Sequence, residues 1–237
     1  MGNIINRDTI GDMSRRVASK MGDKKAIIFR DRVLTFRDLD EEACRFAHLM
    51  QKYGVKKGDR VAVNAYNSHL YPISFLGLAK IGAVQVPITY MLNGQEIAYI
   101  VNHSGARVFI TEDELYPLIE DHRNEFTSIE HWGFIPLNGK DVPEDFFELA
   151  EGMAVMSSDD FDLDISPEDI VQIPYTSGTE SKPKGAMLSH RALMSQYHSC
   201  IFDGDYSTDD ISLHALPLFH CVQLHCFLMP FLYVGAT

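Results

Sequence analysis

Apolar positions along the chain fall into two alternating rhythms. Leu39, Ala43, Phe46, Ala47 and Met50 recur at the spacing of one helix face. They stand behind Thr35-Phe36-Arg37-Asp38, which reads as a capping box, and ahead of Gly54, which supplies a stop. The run Arg60-Val-Ala-Val-Asn-Ala-Tyr66 then predicts a strand, residues 70–80 a helix closing near Gly82, and Val84-Gln-Val-Pro-Ile88 the next strand. A helix over 95–102 and a third strand, Arg107-Val-Phe-Ile-Thr111, continue the series. Strands and helices alternating through short connections predict an α/β fold, a largely parallel sheet covered by helices.

The rhythm weakens after His131-Trp-Gly-Phe-Ile-Pro136. Residues 141–169 are acid-rich and broken by prolines, and predict a solvated connection with one short helix around 146–150. Regular structure resumes at Asp169-Ile-Val-Gln-Ile-Pro-Tyr175, with a helix starting at the N-cap Ser189. Residues 211–216 predict a strand and 222–233 an apolar helix. There is no internal repeat.

Composition narrows the function classes. With 237 residues, 46% hydrophobic and 11% aromatic, the chain can form a substantial core. Its net charge of −12 gives it no global attraction to nucleic acid or to an anionic membrane. No apolar run approaches the ~18 residues of a membrane helix. Cys44, Cys200, Cys221 and Cys226 form no Cys-x-x-Cys pair, and a reducing cytoplasm is the simplest compartment for them.

The segment richest in chemistry is Tyr175-Thr-Ser-Gly-Thr-Glu-Ser-Lys-Pro-Lys-Gly-Ala-Met-Leu-Ser-His190. An apolar strand runs into a turn of hydroxyls, glycine and lysine. Small residues let backbone N–H groups converge on an anion, hydroxyls add directional donors, and lysine supplies a point charge for phosphate oxygens. The spacing departs from a Walker A loop, because Pro183 stands where the second glycine belongs and Lys184 precedes Gly185. With two glycines it is not a dinucleotide fingerprint either.

This stretch resembles the signature loop of the adenylate-forming superfamily, Y-T-S-G-T-T-G-x-P-K-G-V-x-x-S-H. It matches at Tyr175, Thr176, Ser177, Gly178, Thr179, Pro183, Lys184, Gly185, Ser189 and His190. Glu180-Ser181 stands where that family usually has Thr-Gly, and Glu180 is expected to point away from phosphate because an unpaired acid there is repulsive. Further segments agree in order: Leu34-Thr-Phe-Arg-Asp-Leu-Asp40, Gly54-Val-Lys-Lys-Gly-Asp-Arg-Val-Ala62, Lys80-Ile-Gly-Ala-Val-Gln-Val-Pro87, Ser104-Gly-Ala-Arg-Val108 and Leu216-Pro-Leu-Phe-His220.

The resemblance is strongest to acyl-CoA synthetases, and implies an incomplete N-terminal domain of their luciferase-like fold. Residues 57–205 would form most of one subdomain, and residues 1–56 and 206–237 parts of a second, truncated one. It implies a ligase that joins a carboxylic acid, most simply a fatty acid, to coenzyme A through an acyl-adenylate, with ATP and Mg²⁺. Thr176, Ser177, Gly178 and Thr179 would hold the β- and γ-phosphates. Lys184 would neutralise charge in catalysis, the Gly185 backbone would assist, and His220 would line the substrate pocket. The family's Y-G-x-T-E motif does not occur in these residues. Little ligase activity is therefore expected of this stretch alone. Apolar surface is expected where the rest of such a protein would pack, giving a tendency to self-associate. Two other readings are a non-catalytic nucleotide- or partner-binding module and an adenylating enzyme for an aryl or amino acid. His220-Cys221 and His225-Cys226 lack the helical spacing of a metal site and read as pocket and core positions.

Overall fold

The computed structural model describes residues 8–176 and 182–237. Helix α1 (Ile10–Met21) leads into a hairpin of β1 (Lys25–Phe29) and β2 (Arg32–Thr35), and then into α2 (Phe36–Lys52). The Thr35 hydroxyl accepts from Asp38 N–H while the Asp38 carboxylate accepts from Thr35 N–H, so the expected capping box forms. The alternating core follows: β3 (Arg60–Asn64), α3 (Leu70–Ile81), β4 (Val84–Pro87), α4 (Gly94–Ser104) and β5 (Ala106–Glu112). Helices α3 and α4 end at Gly82 and Gly105, whose φ angles of 68° and 64° are left-handed and suit glycine. After two 3₁₀ turns come β6 (His131–Ile135), β7 (Phe146–Glu148) and α5 (Leu149–Ala154). The chain returns through β8 (Ile170–Gln172), β9 (Tyr175–Thr176), β10 (Lys184–Gly185) and β11 (Leu188–Ser189) to α6 (His190–Gly204). A π-helical segment (Val222–Leu228) then runs directly into α7 (Met229–Val234).

The main sheet has seven strands in the order β11-β8-β4-β3-β5-β6-β7, parallel throughout except for β11. Its strands alternate between two apolar layers, as the two-residue repeat requires. Val61, Val63, Val108 and Ile110 face a core shared with α1, α2 and α3, and Ile10, Phe46 and Leu224 belong to that same core. Ala62, Val86 and Phe109 face α4 and the 3₁₀ turns on the other side.

Three local expectations change. Residues 146–148 are a strand and not a helix, because Phe146 packs edge-to-face on Phe134 and Tyr116 and tilted against Trp132 along the sheet edge; the helix begins afterwards, at Leu149. Residues 211–216 are not a strand: among the described residues their one ladder-like link is Ser212 N–H to the Thr237 carbonyl at 2.9 Å, and Ile211 and Leu213 are 82% and 91% exposed. The acidic connection is also more than a solvated link. Lys80, with a fully buried side chain, pairs with Asp40 at 2.8 Å and with Asp160 at 3.2 Å. Arg15 bonds Asp12 and Asp160, and Ile165 is buried. Partial burial opposes ionisation of Asp160, but the Arg15 hydrogen bond and the Lys80 and Arg15 charges outweigh it and hold that carboxyl down to about 2.

Candidate functional site

Thr176 and Lys184 hold opposite places on a short ladder. Strand β9 pairs antiparallel with β10, setting Thr176 opposite Lys184 and Tyr175 opposite Gly185, and Ala186 N–H donates to the Pro174 carbonyl at 2.9 Å. Ser177, Gly178, Thr179, Glu180 and Ser181 lie outside the described residues. Gly185 is required by packing: a Cβ there would sit 2.7 Å from Ile173 Cγ2 and 3.1 Å from the Tyr175 ring. Helix α4 braces this ladder from the side. Tyr175 Oη lies 2.7 Å from His103 Nδ1, and His103 stacks on Tyr99 with centroids 5.5 Å apart. The Lys182 ammonium sits 5.5 Å from the Tyr99 ring centroid.

The facing wall carries His220. It borders the same cleft, of ≈ 630 Å³, as Thr176, Lys182 and Pro183, with Phe219 and Cys221 beside it. His220 Nδ1 accepts from Val222 N–H at 3.2 Å, which leaves Nε2–H as its remaining donor. The structure thus brings Thr176 and His220 to one cavity. Lys184 stands on β10 across from Thr176, and Lys182 is the lysine that borders the cleft. Glu96, at the cleft's edge, is engaged in its own helix cap, where its carboxylate accepts from Asn93 N–H at 3.0 Å.

Several positioning residues carry no local sequence signal. Asn67, in the loop after β3, donates to the Leu216 carbonyl at 2.7 Å and the His214 carbonyl at 3.2 Å, and accepts from Leu218 N–H at 2.8 Å. Buried Gln223 accepts from Leu216 N–H at 3.0 Å and donates to His214 Nδ1 at 2.6 Å. Burial holds the His214 imidazole down to about 4, so it is neutral and able to accept. The segment that ends in His220 is therefore tied from two sides. Tyr90 bridges Tyr66 and Phe219, with ring centroids at 4.7 and 5.0 Å, in a structural role. His225 faces the core, not the cleft.

Among the described residues no group of three or more His, Cys, Asp or Glu side chains comes together to hold a metal ion. These residues do not fit a protein-built magnesium cage. A magnesium ion at this cleft would be carried by nucleotide phosphates, its usual mode.

Strand β8, next to the edge of the main sheet, thus leads into the β9–β10 ladder, and His220 faces that ladder across the cleft. Residues 14–237 match the AMP-binding enzyme family model, and the chain belongs to that family. It is 31% identical over 246 aligned residues to crotonobetaine/carnitine–CoA ligase of Salmonella paratyphi C (strain RKS4594), an alignment covering 99% of this chain and 46% of the relative. The chain thus spans about half the length of the curated relatives it matches. Among solved structures it is similar to the anthranilate CoA ligase AuaEII in complex with anthranoyl-AMP. There the TM-score is 0.88 at 27% identity, over 97% of this chain and 44% of that one. The inhibitor-bound N-terminal domain of FACL13 from Mycobacterium tuberculosis superposes with a TM-score of 0.85 at 29% identity, over 97% of this chain and 56% of that one.

Proposed function

We propose that these residues supply the phosphate-binding wall and one acyl-binding wall of an ATP-dependent acid–thiol ligase. The observation that carries this reading is the single cleft bordered by Thr176 on one side and His220 on the other. In the first step a carboxylate oxygen attacks the α-phosphorus of ATP, forming the acyl-adenylate and releasing pyrophosphate. In the second, the thiolate of coenzyme A attacks the acyl carbonyl and AMP leaves. Both steps build negative charge on phosphoryl or carbonyl oxygens, which preorganised donors and cations stabilise.

Thr176, with Ser177, Gly178 and Thr179, would hold the β- and γ-phosphates. Lys184, assisted by Lys182 and the Gly185 backbone, would balance their charge. His220 Nε2–H would meet the acid. Magnesium, carried on the nucleotide, would offset phosphate charge. Phe219, Leu92 and Ile100 give the cleft an apolar side, which supports a hydrophobic acid, with a fatty acid the simplest case. Four free cysteines agree with residence in the cytoplasm. The exposed Ile211, Leu213 and Ile28, which border one apolar groove, would favour self-association.

The test is exchange of labelled pyrophosphate into ATP, run with aliphatic, aryl and amino acids, alongside a thioester assay with coenzyme A. We expect Mg·ATP binding, exchange with aliphatic acids above the others, and little thioester from these 237 residues alone. Mg·ATP binding without exchange for any acid would favour a binding module. Robust thioester formation would overturn the expected inactivity.

A further inference from the structure

One buried polar chain has no part in the chemistry proposed above. The Tyr197 hydroxyl on α6 donates to Nδ1 of His225 at 2.8 Å, and His225 Nε2–H donates to Gln172 Oε1 at 2.8 Å. Gln172 Nε2 donates to Gln85 Oε1 at 2.9 Å, Gln85 Nε2 to Ser74 Oγ at 3.3 Å, and the Ser74 hydroxyl to the Tyr71 carbonyl at 2.7 Å. None of these five side chains belongs to a residue more than 2% exposed. The direction of the chain is fixed. An amide oxygen only accepts, so Nε2 must carry the imidazole proton, and burial keeps the ring neutral, so Nδ1 must accept.

The elements joined here are the ones that shape the cleft. Gln172 ends β8, and β9 starts at Tyr175. The β8 backbone registers with β4 at one pair, Gln85 with Gln172, backed by Ile173 N–H to the Gln85 carbonyl at 2.9 Å. Tyr197 lies on the helix that leaves the loop, and His225 lies in the π-helical segment behind His220. π-Helical insertions re-aim side chains and recur at functional sites. A hydrogen bond of 2.8 Å weakens steeply with a small slide, so this one imidazole holds three elements at a set spacing.

The geometry points to His225 as a positioning residue: through Gln172 and Tyr197 it sets the separation of the phosphate-loop wall from the His220 wall, and with it the pose in which carboxylate and α-phosphate meet. This rests on reading the cleft as the adenylation site.

The test separates positioning from mere satisfaction of buried polar groups. Tyr197→Phe, His225→Leu, Gln172→Met and Gln85→Met are combined, so that no member of the chain is orphaned while the tie is cut. Thermal midpoint, amide exchange in peptides covering 182–188 and 219–224, and Mg·ATP affinity are compared with the parent and with His225→Leu. His225→Leu should lower the midpoint and speed exchange in both peptides. The all-apolar variant should recover the midpoint, yet exchange about tenfold faster in both peptides and bind Mg·ATP about tenfold more weakly. Protection that returns with the midpoint would overturn the proposal. Where the combined variant does not fold, Tyr197→Phe is compared with Ser74→Ala, which orphans a group at the far end of the same chain: faster exchange in both peptides with Tyr197→Phe alone supports the proposal, and equal exchange in the two variants refutes it. Exchange needs no nucleotide, so a parent that binds no Mg·ATP refutes the ligase reading while this result still stands.

Discussion

Gly185 shows what one missing methyl does for the site. An added Cβ would press on Ile173 Cγ2 and the Tyr175 ring, neither of which is the loose end of a flexible side chain. Gly185→Ala is expected to cost about 1–3 kcal/mol of stability and to weaken Mg·ATP binding, measured by denaturant melts and titration calorimetry. Glu112 gives a second single-residue test. Burial pushes its carboxyl up to about 7, against the hydrogen bond it accepts from Tyr66 N–H at 3.0 Å; Asp113 and Glu114 add to the push. The folded state therefore holds this proton more tightly than the unfolded chain does, and Glu112 contributes stability at low pH that is lost as pH rises from about 4.5 to about 7. Glu112→Gln should remove that loss, raising the melting midpoint at pH 8 more than at pH 5. An equal shift at both values would refute it. That Thr176 and His220 border one cleft was legible because both sit in local motifs, whereas Lys182, which borders it too, was not singled out. Asn67 and His103 were not legible, since each acts through a hydrogen bond to a segment distant in sequence, and Gln223 was not, since it acts on an irregular loop seven to nine residues before it that has no local signature.

At the scale of elements, β3, β4 and β5 were legible because strands covered on both faces read as near-continuous apolar runs. Helices α2 and α4 were legible from periodicity, and the α2 cap from its own residues. β7 was misread because its fate is decided by the aromatic cluster it joins, not by its local pattern. Residues 211–216 do alternate apolar and polar, but a strand needs a hydrogen-bonded neighbour, and among the described residues they have none in a ladder. The acidic connection was underestimated because its Asp160 meets Lys80 and Arg15, which lie 80 and 145 residues away in sequence. Its tie gives an element-scale prediction. Asp160→Ala removes one partner of a buried lysine and of Arg15, while Asp40 remains within 2.8 Å of Lys80. With Asp160 itself partly solvated, a loss of about 1–3 kcal/mol is expected, together with earlier proteolysis within 141–169. An unchanged midpoint and cleavage pattern would refute the tie.

For the molecule as a whole, buried histidines set the response to acid. Burial holds His69, His190 and His214 at about 4 and His225 at about 3, each below its ordinary 6.5. The unfolded chain therefore binds these protons first, and their contribution, complete above pH 6.5, is lost as pH falls toward 4. Four such groups outnumber Glu112, which works in the opposite sense. Thermal midpoints should fall progressively between pH 6.5 and 4, and a flat profile across that window would contradict these assignments. The proposed self-association is tested at the same scale. Ile211→Lys with Leu213→Lys should shift light-scattering mass toward the monomer without lowering the thermal midpoint, because both side chains are largely exposed.

The pairing of Thr176 with Lys184 has one more consequence. It fixes Thr176 and Lys184 as two sockets, and the sequence between them can be exchanged as a cassette. Closure entropy changes slowly with loop length, so the contents of such a cassette can be exchanged with little effect on the sheet that carries it. Writing Thr-Gly in place of Glu180-Ser181 should leave Mg·ATP affinity unchanged or raise it, with the thermal midpoint unmoved; a large loss of affinity in a titration would refute this. The ligand's grip and the protein's stability can thus be tuned by different residues, and changed independently over the history of such a chain.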